Sequence, residues 1–209
     1  AMVNYMLIYF GFFLINKEME KYGAVALTGQ GIAANINSLC FNLPSSIGTA
    51  VTTMISINMG LKNIKKSKKI FTYSWITSVV IAALTIILIV PLNHNMISLF
   101  TKNSEVAVIA DNALNIFTYS IIGFGIFTVC QGVYVALGKN NIPLIMSILR
   151  IWLFRYAFIL LTQKFLGLYS IFWGNLFSNT AAGILFFYLV KTLDWENVDV
   201  RKLKIKKLK

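Results

Sequence analysis

Apolar residues fill six long stretches of this chain, separated by short polar or basic breaks: residues 5–15, 28–59, 71–92, 112–137, 142–162 and 169–190. Such runs predict helices that cross a lipid bilayer. A span needs about 20 mostly apolar residues and must satisfy its own backbone hydrogen bonds. The first stretch is short for a span and reads as the end of a longer one. The expected class is all-α, a polytopic membrane protein. Residues 1–192 would form a six-helix transmembrane bundle, and residues 193–209 a basic cytoplasmic tail.

The second stretch is interrupted by NINSLCFNLPSSIG, residues 35–48. Asn35, Ser38, Asn42, Ser45, Thr49, Thr52 and Ser56 recur at alternating steps of three and four, which places them along one face of a helix. Amides and hydroxyls facing lipid are costly, so this stripe is expected to face protein or water. Pro44 removes one backbone hydrogen bond near the middle and predicts a kink. At 1.5 Å per residue the stretch is about 48 Å long, more than the roughly 30 Å hydrocarbon core, so it must tilt, bend or project. Two readings fit the stripe. It forms a helix–helix seam, with Ala34, Gly48 and Ala50 permitting close approach, or it walls an aqueous cavity. Further polar clusters on the fourth stretch (Asn115, Tyr119, Gln131) and the sixth (Asn175, Ser178, Asn179) favour a shared cavity. The residues expected to line it are Asn35, Asn42, Thr49, Tyr119, Gln131 and Asn175.

Composition supports the membrane reading. Hydrophobic residues make up 57% of the 209, charged residues only 12%, and mean hydropathy is +0.72; a soluble domain carries roughly twice that charge. The net charge of +12 raises the question of nucleic acid, but its distribution answers with topology. The basic residues at 62, 65, 66, 68, 69, 139, 191, 201, 202, 204, 206, 207 and 209 all fall on one side when the spans alternate, against Lys17, Lys21, Lys102 and Lys164 on the other. Positive residues mark the cytoplasm. Both ends are therefore expected inside, in a cell inner (plasma) membrane, with the tail drawn to anionic lipid headgroups rather than to nucleic acid. Cys40 and Cys130 sit among apolar neighbours and read as small hydrophobes. His94 stands without companions, so neither a metal nor another cofactor is expected.

Several motifs then carry a family resemblance. The string GAVALTGQGIAANINSLCFNLPSSIGTAVTTMISINMGLKN resembles the seventh-to-eighth helix region of multidrug and toxic compound extrusion (MATE) transporters. Gly23, Ala24 and Ala26 match its Ala-rich start, Pro44, Ile47 and Gly48 its Pro-x-x-I-G step, and Ser56 and Gly60 its final S-x-x-x-G. QGVYVALGKNNIPL is similar to the family's Q-G-x-x-R-A-x-G-D-x-x-x-P segment through Gln131, Gly132, Gly138 and Pro143; Val135 and Lys139 depart from it. SILRIWLFRYAF and LGLYSIFWGNLFSN resemble its last two helices. The resemblance implies one six-helix lobe of a twelve-helix fold, a small organic cation as substrate, and export coupled to a sodium ion or a proton. It also implies a companion, either an N-terminal lobe or a second copy, so that the chain reads as a half-transporter or a fragment.

Coupling to a cation calls for an embedded acid. The seven acids, Glu18, Glu20, Glu105, Asp111, Asp194, Glu196 and Asp199, all fall in loops, tails or the ends of the apolar stretches. Positions near Ile8 and Gly125, where the resemblance would place acids, are apolar or glycine. Asp111 reads as a helix N-terminal charge favoured by the dipole. The embedded charges are cationic instead. Arg150 and Arg155 lie about 12 and 20 Å into the fifth stretch. Five residues apart, they are expected on different faces of an α-helix, either snorkelling or bound to backbone carbonyls. A sharper alternative is recognition of an anionic headgroup, as in the flippases for lipid-linked oligosaccharides that share the superfamily architecture. No Ser/His pair, Asp pair or H-E-x-x-H motif points to an enzyme; a non-transporting membrane subunit is the remaining alternative.

Overall fold

Helices account for nearly all of the computed structural model, which describes residues 2–196. In chain order they are α1 (Met2–Glu20), α2 (Ala24–Gly60), α3 (Ile64–Ile89), α4 (Asn93–Ser98), α5 (Ser104–Ala136), α6 (Asn141–Leu149), α7 (Ala157–Leu166) and α8 (Tyr169–Lys191). A 3-10 turn, Val90–Leu92, joins α3 to α4, and a π-helical segment, Arg150–Tyr156, joins α6 to α7. Six rods result, one for each apolar stretch. Ile64–Ser98, Ser104–Ala136 and Asn141–Leu166 are long and apolar enough to cross a membrane by length and composition. At 37 residues, α2 exceeds its expected span and is about 56 Å long.

The bundle is organised around α5, which packs α2 on one side and α8 on the other. Glycines allow both approaches. A Cβ on Gly48 of α2 would come within 2.7 Å of the Thr128 carbonyl oxygen, and one on Gly183 of α8 within 2.5 Å of the Gly123 carbonyl oxygen. Contacts this close replace apolar bulk with backbone packing, the usual device where lipid supplies no driving force between helices. Hydroxyls lace the first seam. Thr128 donates to the Pro44 carbonyl over 3.1 Å, and Thr52 donates to the Gly132 carbonyl over 3.2 Å. Ser56 reaches the Ala136 carbonyl at 3.4 Å.

Several helices run beyond the apolar stretches, α3 for example starting at Ile64 rather than 71, and at α5 the difference has a consequence for Asp111. Helix α5 starts at Ser104, not near residue 112, because Asn103 caps it: its side chain accepts from the Glu105 and Val106 amides at 2.9 and 3.3 Å. Its first two turns mix Glu105 and Asp111 with apolar residues, which lowers their hydropathy and hides them from a reading by apolar runs. Glu105 holds the first-turn position that the dipole favours. Asp111 lies two turns further in, beyond the reach of that effect. It accepts from Asn115 at 3.3 Å, and Asn115 accepts from Asn93 at 2.7 Å, which ties α4 to α5.

Two core clusters mark the two ends of the bundle. One gathers Val51, Ile55, Phe71, Tyr134, Met146 and Val190; the other gathers Ile15, Ala33, Leu114, Phe117, Ile159 and Phe172. The basic loops at 61–63 and 138–140 and the end of α8 therefore lie at one end of the bundle, as the charge pattern requires. At that end the chain folds back and buries Trp195 against Phe71, with ring centroids 6.4 Å apart. The basic positions from 201 onward, expected to meet lipid headgroups, lie outside the described residues. At the opposite end Lys21 pairs with Glu18 at 2.6 Å, and that carboxylate holds the Lys21 pKa above its ordinary value. Ile76, Val80, Leu84, Ile87 and Leu88 stand exposed on α3. A continuous apolar face of this kind suits lipid and would be a liability in water.

Candidate functional site: a cationic cavity and an outward polar face

A cavity of about 350 Å³ opens between α1, α2, α5, the π-helical segment and α8. Arg150 and Arg155 both line it, together with Asn175, Asn37, Gln30 and a group of phenylalanines that includes Phe12 and Phe124. No carboxylate lines it among the described residues.

The π-helical segment explains why the two arginines meet, against the expectation that they diverge. In an α-helix a separation of five residues turns a side chain by about 140°. The i→i+5 pairing of a π-helix brings residues five apart to nearly the same face. The segment is held against α1 at Gly11, where a Cβ would clash with Ile151, and by the Trp152 indole N–H, which donates to the Leu7 carbonyl over 3.0 Å.

Arg150 is partly compensated. Its Nη1 donates to Asn179 Oδ1 over 2.7 Å, Asn179 Nδ2 donates to Asn175 Oδ1 over 2.9 Å, and the guanidinium lies 5.4 Å and 5.2 Å from the Phe124 and Phe127 ring centroids. Its partners are thus side-chain amides and aromatic rings, not the backbone carbonyls expected. Among the described residues, Arg155 has only the Phe12 ring, at 5.9 Å. The Nε atoms of both arginines are buried and donate to nothing among the described residues; Gln30 Oε1 and Asn37 Oδ1 are buried acceptors without a donor. Both arginines are half-buried, so their charge is partly desolvated, and cation–π contacts of this kind return roughly 0.5–2 kcal/mol. The cavity carries an uncompensated positive charge.

Of the six residues expected to line a cavity, Asn175 alone reaches this one, at 5% exposure. Asn35, Asn42 and Thr49 stand exposed on α2. At 100° per residue they point roughly opposite to Ala33, Cys40, Pro44 and Val51, the face packed into the bundle. Tyr119 is half exposed, and Gln131 half buried, elsewhere on α5. The stripe divides along its length for a geometric reason. A repeat of seven residues drifts by about 20° per heptad around a straight helix. Thr52 lies on the α5 side of the stripe, about 80° around the helix from Asn42, and two heptads of drift carry Ser56 about 40° the same way, so both bond across the seam. The seam reading holds at Thr52 and Ser56, while Asn35, Asn42 and Thr49 face outward, away from this cavity. Asn37 was absent from the expected set because it falls off the stripe. Gln30 is a lone amide ahead of the stripe, and Asn179 belongs to the polar cluster of the sixth stretch, which is the signal that marks it.

The architecture is that of a membrane-embedded helical lobe with a polar interior and one polar face left uncovered. The MatE family model matches residues 1–161, and the chain belongs to that family; it is an integral membrane protein. It is 28% identical over 146 residues to the probable multidrug resistance protein NorM of Buchnera aphidicola, covering 69% of this chain and 32% of that protein. It superposes on the Vibrio cholerae MATE transporter VcmN in the bent form with a TM-score of 0.85 at 21% identity, over 91% of this chain and 44% of that one. A MOP superfamily transporter from Pyrococcus furiosus, described as having a binding pocket of reverse polarity that suggests a different function, superposes at 0.83 with 18% identity, over 90% and 43%. The chain thus spans a third to under half of these three proteins, and it adopts one lobe of the MATE fold.

Proposed function

We propose that this chain forms the C-terminal lobe of a multidrug efflux transporter that exports small organic cations by antiport. The carrying observation is the uncovered polar face of α2. Asn35 and Asn42 make no side-chain hydrogen bond among the described residues, whereas Ser46 and Thr49 turn their hydroxyls onto carbonyls of their own helix at 2.9 and 3.2 Å. A row of free amides exposed to lipid would be costly. It is accommodated when a companion lobe, either an N-terminal partner or a second copy, encloses it in an aqueous cleft. Organic cations would cross in that cleft, against amide oxygens and the Tyr119 ring. The coupling ion, sodium or a proton, would bind on the companion, since amides and hydroxyls exchange no proton near neutral pH. The lobe would sit in the inner membrane with its basic loops in the cytoplasm.

Ethidium efflux from cells expressing this chain with its companion tests the reading. Asn42→Leu should reduce efflux at least several-fold at unchanged membrane abundance, and Leu39→Ala should not. Equal efflux in both variants and the parent would exclude the α2 face from the substrate path.

The two cavity arginines favour a second reading, in which the lobe serves a flippase for an anionic lipid-linked oligosaccharide. Uptake or flipping of such a lipid in place of ethidium would support it.

A further inference from the structure

The polarity of the internal cavity is opposite to that required for an organic cation, and it does not depend on which cargo the transporter carries. Two guanidiniums face one half-open space without a lining carboxylate among the described residues. Among the described residues Arg155 makes no hydrogen bond, and the Nε of each arginine is a buried donor without an acceptor. A cation placed in this space meets like charge; an anion meets charge-assisted donors in a setting of low dielectric. The remaining walls define the rest of the ligand. Phe12 and Phe124 offer aromatic surface, and Gln30 Oε1 and Asn37 Oδ1 offer acceptors that only a hydroxyl or N–H can satisfy. A volume of about 350 Å³ lies at the small end of ligand pockets.

We infer that this cavity, bounded by the π-helical segment, α1, α2, α5 and α8, is a binding site for a hydroxylated organic anion: a carboxylate or phosphate on an apolar body that also carries a hydroxyl. The anionic group sits between Arg150 and Arg155, the apolar body lies against the phenylalanines, and the hydroxyl donates to Gln30 or Asn37. Arg150 is already anchored through Asn179, so it presents a fixed charge. Arg155, free of hydrogen bonds among the described residues, is the arm that closes on the anion. A soluble hydroxy-acid and the headgroup of an anionic glycerolipid share this chemistry.

The test is calorimetric titration of the full 209-residue chain in neutral detergent with 4-hydroxyphenylacetate and with tyramine, its cationic counterpart. The acid is expected to bind saturably and the amine not to bind. Arg155→Gln should weaken the acid at least tenfold, while Arg155→Lys, which keeps the charge, should stay within a few-fold of the parent. If Arg155→Gln does not fold, the acid-against-amine comparison on the parent decides alone. Nanodiscs separate the two sources of ligand. If 4-hydroxyphenylacetate binds in phosphatidylcholine discs but is weakened tenfold when phosphatidylglycerol is added, a lipid headgroup occupies the site; if affinity is unchanged, the ligand is a soluble acid. Binding of tyramine at least as tight as the acid, equal acid affinity in the parent and Arg155→Gln, or no saturable binding of the acid would overturn the inference.

Discussion

Arg150 and Asn179 meet at 2.7 Å across the fifth and sixth rods, and the bond fixes more than two side chains. Because Asn179 Oδ1 accepts from the guanidinium, its amide nitrogen is free to donate to Asn175, which reaches the cavity. The π-helical turn that carries Arg150 thereby sets the orientation of an amide ladder on α8. Asn179 is fully buried and Ser178 nearly so, and Ser178 turns its own hydroxyl onto the Asn175 carbonyl. The polar cluster on α8 is a support for the arginine first, and only its Asn175 end contributes to the cavity wall.

The close approach of α2 and α5 leads to a stability prediction. Gly48→Ala places a methyl against the Thr128 carbonyl, where backbone cannot yield cheaply. A loss of about 1–3 kcal/mol is expected, the usual cost of overpacking. Gly31→Ala, with open space around it, should instead stabilise by about 0.5–1 kcal/mol through helix propensity. Thermal unfolding in detergent measures both; equal shifts would contradict the glycine seam.

Orientation is accessible to cysteine labelling. Cys40 and Cys130 are buried and give little background. Asn103 and Asn63 are poor sites for labels because both cap helices. Lys102→Cys and Lys65→Cys, both exposed, serve better. A membrane-impermeant maleimide applied to whole cells should modify the first and spare the second. The opposite pattern would invert the topology.

Thiol accessibility also separates the two parts of the α2 stripe. In the assembled transporter, cysteines at Asn35, Asn42 and Thr49 should react with a water-soluble reagent, and cysteines at Leu39 and Leu43 should not. A cysteine at Thr52 should be inert as well, since that side chain belongs to the seam with Gly132. Reaction at Leu39 equal to that at Asn42 would mean that the whole exposed face meets water and that no polar cleft is distinguished.

Asp111 has a structural explanation that makes a coupling role unnecessary. Asp111→Asn keeps an acceptor for Asn115, so the α4–α5 tie survives and the expected stability change is within about 0.5 kcal/mol. Sodium- or proton-driven export by the assembled transporter should persist. Loss of coupling at normal expression and substrate binding would move the coupling site to this external end.

Sequence by itself determined the six rods and the end-to-end charge asymmetry, because apolar length and basic loops are local quantities that no packing can reassign. It also identified the α2 stripe as a feature needing cover. It placed the start of α5 eight residues late, since a capping asparagine followed by mixed residues is a weaker signal than an apolar run. Tertiary structure alone decided what the polar residues do. The stripe is broad and drifts around a helix of 3.6 residues per turn, so its edge at Asn35 and Asn42 faces outward while Thr52 and Ser56 meet α5 in a seam. Tertiary structure likewise decided the fate of Arg150 and Arg155. Counted on an α-helix they diverge; on a π-helical segment pinned to α1 through Ile151 and Trp152 they converge on one cavity. That widening depends on long-range contact with α1, about 145 residues away in the chain, and no periodicity within RIWLFRY reveals it.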